Sequence, residues 1–96
     1  MKIKPIHPGE YIKDELEELN LSQKQLALAL RIPARRISEI VNAKRGITAD
    51  TAYRLAKYFG TTVELWTNLQ FSYDMLMAIE KFKVTGELEK IHPRTE

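Results

Sequence analysis

Between Ala34 and Arg45 the chain sets out Arg35, Arg36, Ser38, Glu39, Lys44 and Arg45, a run dominated by guanidinium and ammonium groups. A guanidinium projecting from a helix end can pair through two hydrogen bonds with guanine O6 and N7, a contact carrying about 1–3 kcal/mol of discrimination between bases. Arg35 is the best placed for it, with Arg36 to one side. The methyl of Ala34 suits a thymine methyl, and the Ser38 hydroxyl can donate or accept, so alone it specifies little. Glu39 follows Arg35 by four residues, so an intrahelical ion pair that orients the arginine is expected ahead of direct reading of cytosine. Lys44 and Arg45 suit phosphate oxygens, as do Gln23 and Lys24 upstream.

Those side chains need two short helices and a tight turn to position them. Residues 21–46, LSQKQLALALRIPARRISEIVNAKRG, meet the requirement. Ser22 and Gln25 form a capping box, with Leu26, Ala27 and Leu30 on the inner face of the helix that follows. The chain leaves helical form around Arg31 and Ile32 and re-enters at Pro33, with Ile37, Ile40 and Val41 turned inward and Asn42 near the end. The second helix of the pair, about three turns long and basic at its start, has the size to enter a DNA major groove end-first. Upstream, Pro8 opens a helix with Ile12, Leu16 and Leu19 on its apolar face. Downstream, Thr48 caps a helix carrying Ala52, Leu55, Ala56 and Phe59, and Gly60 stops it. Thr62 caps a fifth and longest helix, predicted to run to about Lys81. No strand-like alternation occurs before Phe82, so the body is predicted to be all-α.

The fifth helix carries two apolar stripes: Leu65, Trp66, Leu69, Tyr73 and Leu76 on one side, and Phe71, Met75, Ala78 and Phe82 on the other. Positions 69 and 71 lie about 200° apart around a helix, so the stripes face opposite ways. A surface helix in a small monomer needs only one apolar face. The second stripe is therefore expected to form a two-fold dimer interface, the alternative being that residues 83–96 fold back over it. The expected division is a DNA-binding domain over 1–79 and a C-terminal tail over 80–96, with a place for the tail at the dimer seam.

Other chemistries are poorly served. The chain of 96 residues has no cysteine, which excludes disulfides, thiolate metal sites and a cysteine nucleophile. His7 and His92 are far apart in sequence and lack partners at ligand spacing, so each is expected at a surface or a helix cap. Asp14, Glu15, Glu17 and Glu18 are expected as solvated carboxylates on a helix, and the four glycines are too scattered for a phosphate loop. No enzyme, metal or cofactor is expected. No segment is apolar enough for a signal peptide or a membrane span, so the cytoplasm is the expected compartment. The net charge of +2 hides an uneven distribution. Arg31 to Arg45 holds five positive residues and one negative, whereas Glu10 to Leu19 holds five acids and Lys13. One face would suit a polyanion and the other a basic partner.

The segment from Leu21 to Thr48 resembles the lambda-repressor/Cro-type (XRE) helix-turn-helix. The order HPGEYI, then RRISEIVNAKRGITADTAYRLAKYFGT, then ELWTNLQFSYDM is similar, more narrowly, to the HigA-type antitoxins over residues 5–79. The resemblance implies a five-helix lambda-repressor-like domain with a short tail, usually dimeric, that binds a palindromic double-stranded operator and neutralises a HigB/RelE-like ribonuclease toxin. It places Gln23, Ala34, Arg35, Ser38 and Glu39 at base-reading and anchoring positions, and Lys44 and Arg45 at phosphates. One departure stands out: the turn commonly carries Gly in a left-handed conformation, and here Arg31 occupies it, at a cost of about 1 kcal/mol. The tail is too short to wrap a toxin, so a folded surface is expected to bind it. Glu10, Asp14 and Glu17 of the acidic first helix, with the N-terminal arm, are the candidates. The competing readings are a helix-turn-helix regulator without a toxin, and an interaction module that has lost DNA binding. The basic cluster argues against the latter.

Overall fold

In the computed structural model, which describes residues 5–95, five α-helices follow one another: α1 (Pro8–Leu19), α2 (Gln23–Leu30), α3 (Ala34–Val41), α4 (Ala49–Phe59) and α5 (Val63–Thr85). A short 3₁₀ turn, Leu88–Lys90, comes last, and the described residues contain no strand. Residues 1–4 of the N-terminal arm and residue 96 lie outside the described residues.

Each helix start has a local cause. His7 Nδ1 accepts from the Gly9 amide at 2.9 Å, the Ser22–Gln25 capping box closes in both directions, and the Thr48 and Thr62 hydroxyls cap α4 and α5. Helix α3 differs, because Pro33 precedes it and supplies no side-chain cap. Four helix ends share one closure. Asn20, Arg31, Ala43 and Gly60 all take the left-handed conformation. The next residue's amide then reaches back five positions: Leu21 to Leu16, Ile32 to Ala27, Lys44 to Glu39 and Thr61 to Ala56. Arg31, with φ 60°, thus makes a left-handed turn of the kind glycine makes at no steric cost.

The core gathers Ile12 and Leu16 from α1, Leu26, Ala27 and Leu30 from α2, Ile37 and Ile40 from α3, Ala52, Leu55 and Ala56 from α4, and Trp66 from α5, with Ile47 from the loop after α3. Helix α1 packs on α3 and α5, α2 on α3 and α4, and α4 on α5. Gly9 makes the α1–α3 contact possible: a Cβ there would lie 2.0 Å from the Ile40 carbonyl oxygen. His7 is buried beside it, its ring edge-on to Tyr73 of α5 at 4.8 Å.

Three expectations need correction. Leu19 is half exposed and leaves the apolar face of α1 to Ile12 and Leu16, because α1 ends at Asn20 and turns Leu21 inward instead. Leu65 also faces solvent, and Trp66 alone of its stripe is fully buried. Helix α5 continues past Lys81 to Thr85, since no residue there breaks it until Gly86, whose left-handed φ of 70° caps it. The second stripe is uncovered: Phe71 is 63% exposed and Met75 56%, Ala78 is exposed and Phe82 half-buried. The tail does not fold back over Phe71 and Met75, and its own Leu88 and Ile91 are exposed. With 23 residues α5 is about 34 Å long. The radius of gyration is 16.5 Å, against about 12–13 Å for a compact domain of this size, because the distal half of α5 projects from the bundle.

Candidate nucleic-acid interface

Helix α3 presents its start to solvent. No side chain caps it, so first-turn amides point outward with the positive end of the helix dipole, a setting that favours an anion. Ala34 and Arg35 are exposed on that turn, the Arg35 side chain at 87%. Arg36 and Ser38 are half-buried beside them. The Ser38 oxygen accepts from the Asn42 side-chain amide at 3.4 Å, leaving its own hydroxyl hydrogen free to point outward. Gln23, half-buried, and Lys24, exposed, stand at the first turn of α2.

Glu39 makes the expected ion pair with Arg35 and a closer one besides. Its carboxylate lies 3.9 Å from Arg35 Nε but accepts from Arg45 Nε at 3.2 Å. The shorter contact ties the loop after α3 back to the helix, so Arg45 is a braced cation and Arg35 the freer one. The reason is the left-handed Ala43, which reverses the chain and returns Arg45 alongside the turn carrying Glu39. Lys44 stays exposed at the loop tip.

Arg36, Arg45 and Arg54, with Thr48, Asp50 and Thr51, line a cleft of about 350 Å³ between α3 and the start of α4. A hydrogen bond from Arg54 to Asp50, at 2.7 Å, holds that carboxyl below the usual carboxylate range, and the charges of Arg54 and Arg36 act in the same direction. Sequence reasoning missed Arg54. Its Nη1 donates to the Leu30 carbonyl at 2.8 Å and more weakly to Arg31, fixing the end of α2, and hence the turn, against α4. The i, i+4 spacing of Asp50 and Arg54 was readable, whereas a bond across 24 residues was not. Glu10, Asp14 and Glu17 are exposed on α1 at i, i+4 and i+7, forming one acidic row. The structure thus gathers the basic residues beside α3 and leaves the acids on a separate element. Among the described residues no group of three or more His, Asp or Glu side chains is placed to hold a metal ion, and no helix is long and apolar enough to cross a membrane.

A short helix docked across another by a tight turn, with an uncapped, arginine-bearing start, defines a helix-turn-helix DNA-binding domain. The family model described as Helix-turn-helix matches residues 12–66. Over 74 residues the chain is 51% identical to virulence-associated protein I of Dichelobacter nodosus, covering 76% of this chain and 68% of that one. It superposes with a TM-score of 0.87 on an addiction module antidote protein of a HigA family from Coxiella burnetii, at 49% identity over 96% of this chain and all of the other. The Pseudomonas aeruginosa antitoxin HigA, solved with the higBA promoter, gives 0.83 at 40% identity, over 96% of this chain and all of that one. The chain belongs to the XRE-type helix-turn-helix family and, within it, to the HigA-family antitoxins.

Proposed function

We propose that the chain is the antitoxin of a type II toxin–antitoxin pair, binding a palindromic operator as a homodimer, repressing its own operon and neutralising a HigB/RelE-like ribonuclease. The observation that carries the DNA half is the freely exposed Arg35 on an uncapped helix start, flanked by Arg45 braced on Glu39. Arg35 reads a guanine, with Ala34, Ser38 and Gln23 as neighbours in the groove. Lys44, Arg45, Arg36 and Lys24 hold phosphates, and Glu39 sets the two arginines' directions. Phe71, Met75, Ala78 and Phe82 form the seam between two copies. This reading is supported by the exposure of Phe71 and Met75 on a helix that projects beyond its own core. Residues 1–79 serve as the DNA-binding domain and residues 80–96 flank the seam. The acidic row Glu10, Asp14 and Glu17 meets the basic toxin.

Co-purification from the native operon, followed by mass measurement, tests partner and stoichiometry together. A complex with a small ribonuclease and an even number of antitoxin chains is expected. A pure dimer without a second protein supports instead a regulator that has no toxin, and a monomer at micromolar concentration sinks the seam. Replacing Glu10, Asp14 and Glu17 by lysine should weaken toxin binding and spare operator binding. Unchanged toxin affinity would remove that surface from the proposal.

A further inference from the structure

The loop that carries Lys44 and Arg45 is fastened at two ends. At the α3 end, the Lys44 amide donates to the Glu39 carbonyl at 2.8 Å and Arg45 Nε to the Glu39 carboxylate. At the other end, the Ile47 amide donates to the side-chain oxygen of Gln70, on α5, at 2.7 Å. The Gln70 amide nitrogen donates in turn to Asp74 Oδ1, one turn further along α5, at 2.9 Å. That second bond fixes which way the amide faces, so its oxygen and not its nitrogen meets Ile47. The loop backbone lies directly on this amide: a Cβ on Gly46 would come within 3.0 Å of its atoms. Ile47 itself is buried, so losing this bond leaves an amide without its partner at the edge of the core.

We infer that Gln70, oriented by Asp74, is a positioning residue for DNA binding: from α5 it holds the Lys44–Arg45 loop at the height at which it meets the phosphate backbone. The inference rests on the assignment of Lys44 and Arg45 to phosphates. Its consequence is that the helix assigned to pairing the two copies also sets the grip on DNA, because Gln70 immediately precedes Phe71 of the exposed stripe.

The test is operator binding by the full chain across a salt series, with helical content and mass recorded for every variant. Gln70→Leu keeps the volume and removes both hydrogen bonds. Its affinity should fall about tenfold or more, the worth of one charge-assisted contact. The slope of log K against log salt should become shallower by about 1–2, one phosphate from each protomer at about 0.9 apiece. Preference for the operator over a site lacking the guanine should persist, since Arg35 is on α3. Gln70→Glu combined with Asp74→Asn exchanges donor and acceptor at unchanged net charge. The carboxylate still accepts from Ile47 and the asparagine amide still donates, so slope and affinity should return. Should the leucine variant not fold, Gln70→Asn withdraws the amide by one methylene and must give the same shallow slope. A wild-type slope in these variants, alongside a shallower one in Lys44→Ala, overturns the inference and leaves the phosphate assignment standing. Wild-type slopes in Lys44→Ala and Arg45→Ala overturn both. Failure of the exchanged pair to restore the slope also overturns the role given to Gln70.

Discussion

Replacing Gly9 by alanine should be among the most damaging single-methyl additions available to this fold. The added carbon would lie 2.0 Å from the Ile40 oxygen, 2.8 Å from its carbonyl carbon and 3.0 Å from Val41 Cα. An ordinary carbon–oxygen approach is about 3.3–3.6 Å, so α1 must withdraw from the end of α3 by more than an ångström. All three atoms are backbone, and no rotamer change can relieve the clash. Withdrawal loosens Ile12 against Ile37 and Ile40, all fully buried. Overpacking of this kind costs about 1–3 kcal/mol and occasionally more, offset by up to about 1 kcal/mol for replacing a helical glycine. Because only backbone atoms are struck, the upper end of that range applies, and a net loss of about 2–3 kcal/mol is expected, which lowers Tm by roughly 10–20 °C in a domain of this size. Gly60→Ala is the matched comparison: nothing lies within 4 Å of a Cβ there, but φ is +71°, so only the left-handed backbone cost of about 1 kcal/mol applies. Thermal unfolding followed by circular dichroism measures both. If Gly9→Ala proved no more harmful than Gly60→Ala, the close α1–α3 approach would not be what demands glycine at position 9.

Arg35→Ala should lower operator affinity and relax the preference for one base pair, whereas Lys44→Ala should weaken every DNA sequence alike and make the salt slope shallower by about 1 per protomer; equal losses on operator and random DNA for both would reverse the roles. Burial pushes the His7 imidazole below its ordinary value near 6.5, against the pull of Asp74, Glu10 and the Arg45 carbonyl, so the folded protein favours the neutral ring that accepts from Gly9. The unfolded chain then takes up the proton first, and stability present above about pH 6.5 is lost as pH falls from there towards the folded-state value. His7→Asn retains a capping acceptor without the titration, so its denaturant midpoint should fall less than the wild type's between pH 7 and pH 5. Ala43→Gly should raise stability by about 0.5–1 kcal/mol, since the left-handed backbone at φ 59° penalises alanine, and an unchanged or lower Tm would count against that cost.

Much of the architecture could be read from short-range signals. Ser22 with Gln25, Thr48, Thr62 and Gly60 act within a turn of where they stand, so their types and spacing suffice to place the helix ends. The uncapped start of α3 and the exposure of Arg35 follow from the same local pattern. Contacts between elements distant in sequence were not legible. Nothing near Gln70 indicates that it receives the Ile47 amide, and nothing near Arg54 indicates that it holds Leu30. Gly9 passes as an isolated glycine until the end of α3 is laid against it. The partner of Glu39 was half legible: spacing pointed to Arg35, but Arg45 comes closer only because Ala43 bends the chain back, and alanine gives no hint of a left-handed turn. Leu19 and Leu65 fit the helical period and are nevertheless exposed, because a period defines a stripe and not where along its length the neighbouring helix stops.

The projecting half of α5 has a consequence for the geometry of the operator. If two copies join through residues 71–82, the distance between their α3 helices is measured out by one continuous rod, and DNA of fixed pitch must match it at about 34 Å or a multiple. Each residue of that rod contributes about 1.5 Å of advance and about 100° of rotation. One residue inserted between Asp74 and Met75, beyond the Gln70–Asp74 pair, would therefore change the angular phase of the two reading heads far more than their separation. It would leave each head intact while setting the pair out of step with the double helix.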